Sequence, residues 1–320
     1  MCGTRATVRA MSTTQGQTVP VVPLPDDVRF LDVVTEWDPG LPWDQWTAQM
    51  LVPATFRPVS VPRVIAIANQ KGGAGKTTTT VEFAAALAAR GLRVRMIGAD
   101  PQRASLPAWL EPAYPEGLEP KQRRTLTHVF FGNCSLADAT YPTKFKGLYI
   151  VPGGTKLGRV ESENQLVGRE SCIQRGIAQD PSYDVNLIDC GPTLGVITVS
   201  ALAAAEDVIV PTLAGRMDLL GVSDLHRSFT RVKETLNPKL EVRAIVLNEW
   251  DRTSVMQKTA FQVVQDYPHA IVAPVHRSTK IKEAVGEYLP TRLYAPRSKP
   301  SIEFDQLVSL YFGDVKGVGQ

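Results

Sequence analysis

Residues 69–80, NQKGGAGKTTTT, place two lysines, three glycines and four consecutive threonines within one short stretch. A strand-like run, VIAIAN, precedes them and a helical pattern follows. A glycine-rich turn between a strand and a helix aims backbone N–H groups and the positive end of the helix dipole at one point, which suits a phosphate. In this reading Gly72, Gly73, Ala74 and Gly75 form the cradle, and Thr77 and Thr78 open the helix. Lys76 offsets β/γ-phosphate charge, and the Thr77 hydroxyl reaches Mg²⁺. The common frame of this loop begins with a glycine that would fall at position 70, where the chain has Gln70. The stretch is therefore a K-G-G-x-G-K-T-T variant, and Lys71 is an added cation that binding one nucleotide does not require.

The elements that must hold this loop can be read from hydrophobic patterning. Seven runs, RVIAIAN, LRVRMIGA, GLYIVPG, YDVNLIDC, DVIVPT, EVRAIVLN and HAIVAPV, are nearly continuous in Val, Ile and Leu, as parallel strands covered on both faces are. Helix-length segments alternate with them, including TTTTVEFAAALAARG, with Gly91 as its C-cap, and GRMDLLGVSDLHRSFTRVKETLNP, which Pro238 terminates. The expected architecture is α/β: a doubly wound, mostly parallel sheet of about seven or more strands with helices on both faces, built on right-handed crossovers. It is expected over residues 63–320, its last helix ending near Phe312. Residues 1–62 read instead as a proline-rich extension, with six acidic residues against the single Arg29 between Val21 and Met50. Its Trp37, Trp43 and Trp46 are expected to pack on the core or on a second subunit.

Composition narrows the function classes. A net charge of +3 over 320 residues gives no domain-wide basic character, so any nucleic-acid surface must be a local patch. Cys2, Cys134, Cys172 and Cys190 lack metal-ligand or redox-motif spacing, which suits reduced thiols in the cytosol. No apolar run has signal-peptide or membrane-spanning length, and no membrane partner is expected.

The runs NQKGGAGKTTTT, ADPQ and YDVNLIDCGPTLG together resemble the ParA/Soj-type partition ATPases, relatives of MinD that carry a deviant Walker motif on a P-loop NTPase fold. The resemblance extends from about Val64 to the end through DVIVP, VLNEWDRTS and VHRSTKIKEAVGEYLPTRLYAPRSK, the last similar to the family's I-P-R-x-x-x-L-x-E-A segment. It implies ATP and Mg²⁺ as ligands and slow ATP hydrolysis. It also implies a role for Lys71, which in this family reaches across a face-to-face homodimer to the partner's nucleotide. Asp189 corresponds to the Walker B aspartate that holds Mg²⁺, and Asp100 to the switch aspartate that orients the attacking water; Thr77, Asp100 and Asp189 are together the residues expected at the metal. Asn248 and Pro274 mark the strand ends expected near adenine.

Three departures accompany these matches. Gly98 stands where an acid is common, Gln102-Arg103-Ala104 replaces Q-G-N, and Gly215 replaces an acid. They imply slow or differently tuned hydrolysis with binding retained. Non-specific DNA binding is implied for Arg252 and Lys280, with Arg277, Arg292, Arg297 and Lys299 as weaker candidates. The implied partner is a ParB-type centromere-binding protein that stimulates hydrolysis, and the implied place is the nucleoid in the cytoplasm. Alternatives are a relative that positions a protein cargo or cycles on a membrane, and a nitrogenase-iron-protein-like reductase. Neither the single lysine of SIEFDQLVSLYFGDVKGVGQ nor the surroundings of Cys134 and Cys172 favour the membrane or Fe–S readings.

Overall fold

The computed structural model describes residues 50, 52–53, 56–102, 105–163, 167–213, 229–251, 256, 260, 263–264, 266–313 and 315. Among the described residues eight strands form one sheet: β1 (Arg63–Ile67), β2 (Val94–Ala99), β3 (Tyr141–Pro142), β4 (Leu148–Val151), β5 (Val185–Cys190), β6 (Asp207–Leu213), β7 (Glu241–Trp250) and β8 (Ile271–His276). Their order is β3-β4-β2-β5-β1-β6-β7-β8, and every pairing is parallel except β3 with β4. All seven expected runs are strands; the eighth is the two-residue edge strand β3, too short to leave a pattern.

Side chains alternate between two apolar cores, one on each face of the sheet. Ile65, Ile67, Val185 and Leu187 enter one, and Ala66, Ala68 and Ile188 enter the other. Both faces are dry, which is why these strands read as unbroken apolar runs. Parallel pairing also brings the C-terminal ends of β1, β2 and β5 together, with Asp189 level with both Ile67 and Gly98. Among the described residues no helix is long and apolar enough to cross a membrane.

Helix α1 (Lys76–Ala88) follows the glycine-rich loop and is buried over most of its length. It closes as its sequence suggests: Gly91 takes a left-handed φ of 85°, and Leu92 N donates to Leu87 O at 3.4 Å. Four further helices matter below: α2 (Val196–Ala204), α3 (Thr279–Gly286), α4 (Thr291–Tyr294) and α5 (Lys299–Phe312). The C-terminal stretch is a domain-closing helix, since α5 buries Phe304, Leu307, Val308 and Tyr311, and Tyr311 meets Phe83 of α1 edge-on at 5.6 Å. Met50, Phe56 and Val59 join the same core, and Val59 N donates to Tyr311 O at 2.9 Å. Trp37, Trp43 and Trp46 lie outside the described residues.

Helix α1 also carries a buried acid that makes stability depend on pH. Glu82 Oε1 accepts from Thr291 N at 2.8 Å, while Glu82 Oε2 is buried without a hydrogen bond. Burial pushes Glu82 up to about 7 from 4.5, and bonds from Thr291 and Arg292 only partly oppose this. A carboxyl whose folded-state value is raised stabilises fully below its unfolded value and loses that contribution as pH rises through the folded one. Native protein should therefore lose stability between about pH 4.5 and 7 through this group, and Glu82→Gln should remove that slope. Chemical denaturation at about pH 8 should find Glu82→Gln more stable by on the order of 3 kcal/mol. Equal stability of the two proteins at that pH would refute it.

Candidate nucleotide-binding site

The glycine-rich loop joins β1 to α1 at the C-terminal edge of the sheet, and long-range bonds hold its backbone open. Asn69 Nδ2 donates to Pro211 O at 2.7 Å, anchoring the start of the loop to β6. Asn69 Oδ1 accepts from Lys71 N at 2.9 Å, and Lys76 Nζ donates to Lys71 O at 3.0 Å. The main chain of Lys71 is thus held from both sides while its half-buried side chain stands at the head of the loop. Gly73 and Gly75 take φ of 76° and 89°, and a Cβ on Gly75 would stand 2.4 Å from Asn248 Nδ2. Glycine is needed there both for its dihedral and for the close approach.

Around the loop the strand ends supply the polar groups. Thr77 Oγ1 donates to Asp189 Oδ2 at 2.8 Å, and Thr80 Oγ1 lies 3.4 Å from Asp189 Oδ1. Asp189 is 2% exposed, and burial pushes it up to about 7, with Asp100 adding to the rise and Thr77 and Lys76 opposing it. Burial also pulls Lys76 down, against the attraction of Asp189 and Asp100. A desolvated carboxylate beside a threonine hydroxyl, with one partly desolvated lysine nearby, gains from a further cation. The donor set therefore fits Mg²⁺, held by Thr77 and Asp189, with Asp100 at the end of β2 beside them. When bound, the ion would offset phosphate charge.

Asp100 is half-buried and accepts from Gln102 N at 2.8 Å; a Cβ on Gly191 would stand 3.2 Å from Asp100 Oδ1. The loops after β2 and β5 therefore meet at this carboxylate. Gly98 has a steric reason to lack an acid, because its Cβ would stand 3.2 Å from Gly153 N and 3.3 Å from Val151 O. Arg103, Ala104 and Gly215 lie outside the described residues.

The structure gathers Lys71, Gly72, Gly73, Ala74, Gly75, Lys76, Thr77, Thr78, Asp100 and Asp189 at one sheet edge. Asn248 joins them as a brace: it is 6% exposed, and its Nδ2 donates to Ala74 O at 2.9 Å. Pro274 is buried in β8, paired with Leu247, two residues before the end of its strand as Asn248 is in β7. Sequence reading missed Asn69 and Glu161. Glu161 accepts from Val196 N at 2.7 Å and so caps α2 from 35 residues away. The Asn69–Pro211 and Glu161–Val196 bonds have no local spacing that signals them.

A second feature lies beyond β8. Arg277, Lys280, Arg297 and Lys299 line an open depression of about 490 Å³ together with Ser278, Ala295, Pro296 and Ser298. Lys280 Nζ donates to Glu283 Oε2 at 2.7 Å, and Glu283 also accepts from Thr279 and Tyr294. Arg292 does not share this surface. It is 9% exposed, and its Nε donates to Asp305 Oδ1 at 3.0 Å, so its expected place among the exposed cations is corrected to a buried ion pair. Arg252 lies outside the described residues, although Trp250 O accepts from Arg277 N at 3.2 Å and brings the end of β7 to the same edge.

Comparison with known proteins agrees with this geometry. Residues 62–242 match the family described as AAA domain. Over 239 residues the chain is 38% identical to the chromosome partitioning protein ParA of Caulobacter vibrioides (strain NA1000 / CB15N), spanning 72% of this chain and 87% of that one. It is 31% identical to the sporulation initiation inhibitor protein Soj of Bacillus subtilis (strain 168) over 242 residues, spanning 74% and 93%. Among solved structures, a cobyrinic acid a,c-diamide synthase from Mycobacterium smegmatis with bound ATP analog and magnesium superimposes with a TM-score of 0.65 at 30% identity. That match covers 79% of this chain and 97% of the other.

Proposed function

The chain belongs to the ParA/MinD family of partition ATPases, and on that premise we propose that it is an ATP-dependent DNA partition protein. In this reading two subunits close face to face on two Mg·ATP molecules, the dimer binds DNA without sequence preference, and a ParB-type centromere-binding partner stimulates hydrolysis. Its place is the nucleoid, and its cargo is a plasmid, phage or chromosomal DNA. The observation that carries the nucleotide part is the loop whose main chain is fixed by Asn69 and Lys76 beside the Thr77–Asp189 pair.

Each group has a defined task. Backbone N–H groups of residues 72–77 and Lys76 bind the phosphates, and Thr77 and Asp189 hold the cation. Lys71 adds charge from the opposite subunit where two triphosphates meet in a partly dry interface. Asp100 orients the attacking water. Because ATP binds the associated form more tightly, hydrolysis releases the pair by mass action.

The DNA part is supported by the four exposed cations around the depression after β8. Their small number suits a surface that binds firmly only when dimerisation presents it twice. Arg277→Glu and Lys280→Glu should each weaken binding to unrelated duplexes and flatten its salt dependence by about one unit of log–log slope per lost phosphate contact. The larger loss should come from Arg277→Glu, because Glu283 already offsets the charge of Lys280. Fluorescence anisotropy over a salt series with a non-hydrolysed ATP analogue measures both. Undiminished affinity in the two variants would remove the depression from the DNA surface.

A further inference from the structure

The depression after β8 is built from two separate segments: Arg277, Ser278 and Lys280 form one wall, and Ala295 to Lys299 the other. The walls belong to different elements, the end of β8 with α3 and the turn before α5, so a cleft of fixed width needs a device that joins them. That device lies at their base. His276 is the last residue of β8, next to Arg277, and Glu303 sits one helical turn beyond Lys299 on α5, on the same face.

Both carboxylate oxygens of Glu303 are taken by His276. Oε2 accepts from the His276 backbone N at 2.9 Å, and Oε1 is bonded to His276 Nδ1. Neither side chain is more than 15% exposed. The other ring nitrogen, Nε2, is buried without a hydrogen bond among the described residues, so the imidazole is held by Glu303. Burial raises Glu303, while the bonds from His276 and the nearby charge of Lys299 favour its ionised form. The family segment resembled here reads I-P-R where this chain reads Val275-His276-Arg277. A proline has neither the N–H nor the ring nitrogen, so this clamp requires the histidine.

We propose that His276 and Glu303 are a positioning pair that holds the two walls of the basic cleft at the spacing that nucleic-acid phosphates require. The proposal rests on reading the cleft as a DNA surface. Charge alone predicts the opposite effect of mutation, because removing a carboxylate from beneath four cations should strengthen phosphate binding. Positioning predicts that Glu303→Ala weakens it although the cleft becomes more positive. Glu303→Gln keeps an oxygen for the His276 N–H and an amide group for Nδ1, so it should retain the clamp.

The test measures duplex binding by anisotropy with a non-hydrolysed ATP analogue for native protein, Glu303→Ala, Glu303→Gln and His276→Ala, with nucleotide affinity and dimerisation followed in parallel. Expected are a loss of about tenfold for Glu303→Ala, a smaller loss for His276→Ala, and affinity at or above native for Glu303→Gln. Nucleotide binding and dimerisation should stay native in all three. Equal binding by Glu303→Ala and Glu303→Gln, or tighter binding by Glu303→Ala, would overturn the proposal. So would a loss of dimer parallel to the loss of DNA, since that marks general damage to the fold. Hydrogen exchange supplies a readout that needs no DNA: segments 276–280 and 295–299 should exchange faster in Glu303→Ala and at the native rate in Glu303→Gln. If the native dimer binds no duplex, the DNA reading fails, and the exchange result alone decides whether the pair holds the walls; unchanged exchange in Glu303→Ala would refute it.

Discussion

Lys71→Ala should bind Mg·ATP with near-native affinity yet remain monomeric at concentrations where the native chain is a dimer. The main-chain contacts of residue 71 explain the first half. Lys71 N bonds Asn69 Oδ1 and Lys71 O accepts from Lys76, and both contacts belong to the backbone, so they persist in the alanine variant. Lys76 and the backbone N–H groups retain the phosphates. The second half follows from charge at the interface. Removing one member of a buried charge pair typically costs about 2–5 kcal/mol, and a symmetric dimer carries the contact twice. The dimer should therefore weaken by at least about 100-fold. Sedimentation velocity with a non-hydrolysed ATP analogue measures it, and equal dimerisation of the two proteins would make Lys71 an ordinary loop cation.

Asp100→Ala should keep ATP and the dimer while losing turnover by on the order of 10²-fold or more. Its carboxylate lies where the loops after β2 and β5 meet, beside Gly191 and bonded to Gln102 N, and it takes no part in the Thr77–Asp189 hydrogen bond. Removing Asp100 takes away a water-orienting group and leaves the phosphate cradle and the cation pair intact. Single-turnover hydrolysis with the partner protein present separates the two effects. A native rate would exclude Asp100 from the chemistry, and loss of ATP binding would assign it to the cradle instead.

The parts legible in the sequence are those with local causes. Strands such as VNLIDC were readable because both faces are buried and most residues are apolar, with Asn186 the one polar residue before the strand's end. The loop was readable because glycine, lysine and threonine fall at fixed offsets between a strand and a helix. What escaped reading depends on contacts distant in the chain. The bond from Asn69 to Pro211 spans 142 residues, and Arg292 is drawn inward by Asp305 on the next helix. Glu82 falls in an alanine-rich helix pattern that gives no sign of its burial against Thr291. The Lys280–Glu283 pair was written in the sequence at helical spacing, but its meaning for the cleft depended on placing Arg297 and Lys299 beside it.

The central claim, that ATP closes a dimer which then grips DNA irrespective of sequence, is tested most directly by one anisotropy titration. Native protein is titrated onto two unrelated duplexes with a non-hydrolysed ATP analogue, with ADP, and without nucleotide, at fixed salt. Tight binding with the analogue is expected, equal for both duplexes, with binding at least about tenfold weaker in ADP or without nucleotide. Equally tight binding in ADP, or strong preference for one duplex, would contradict it.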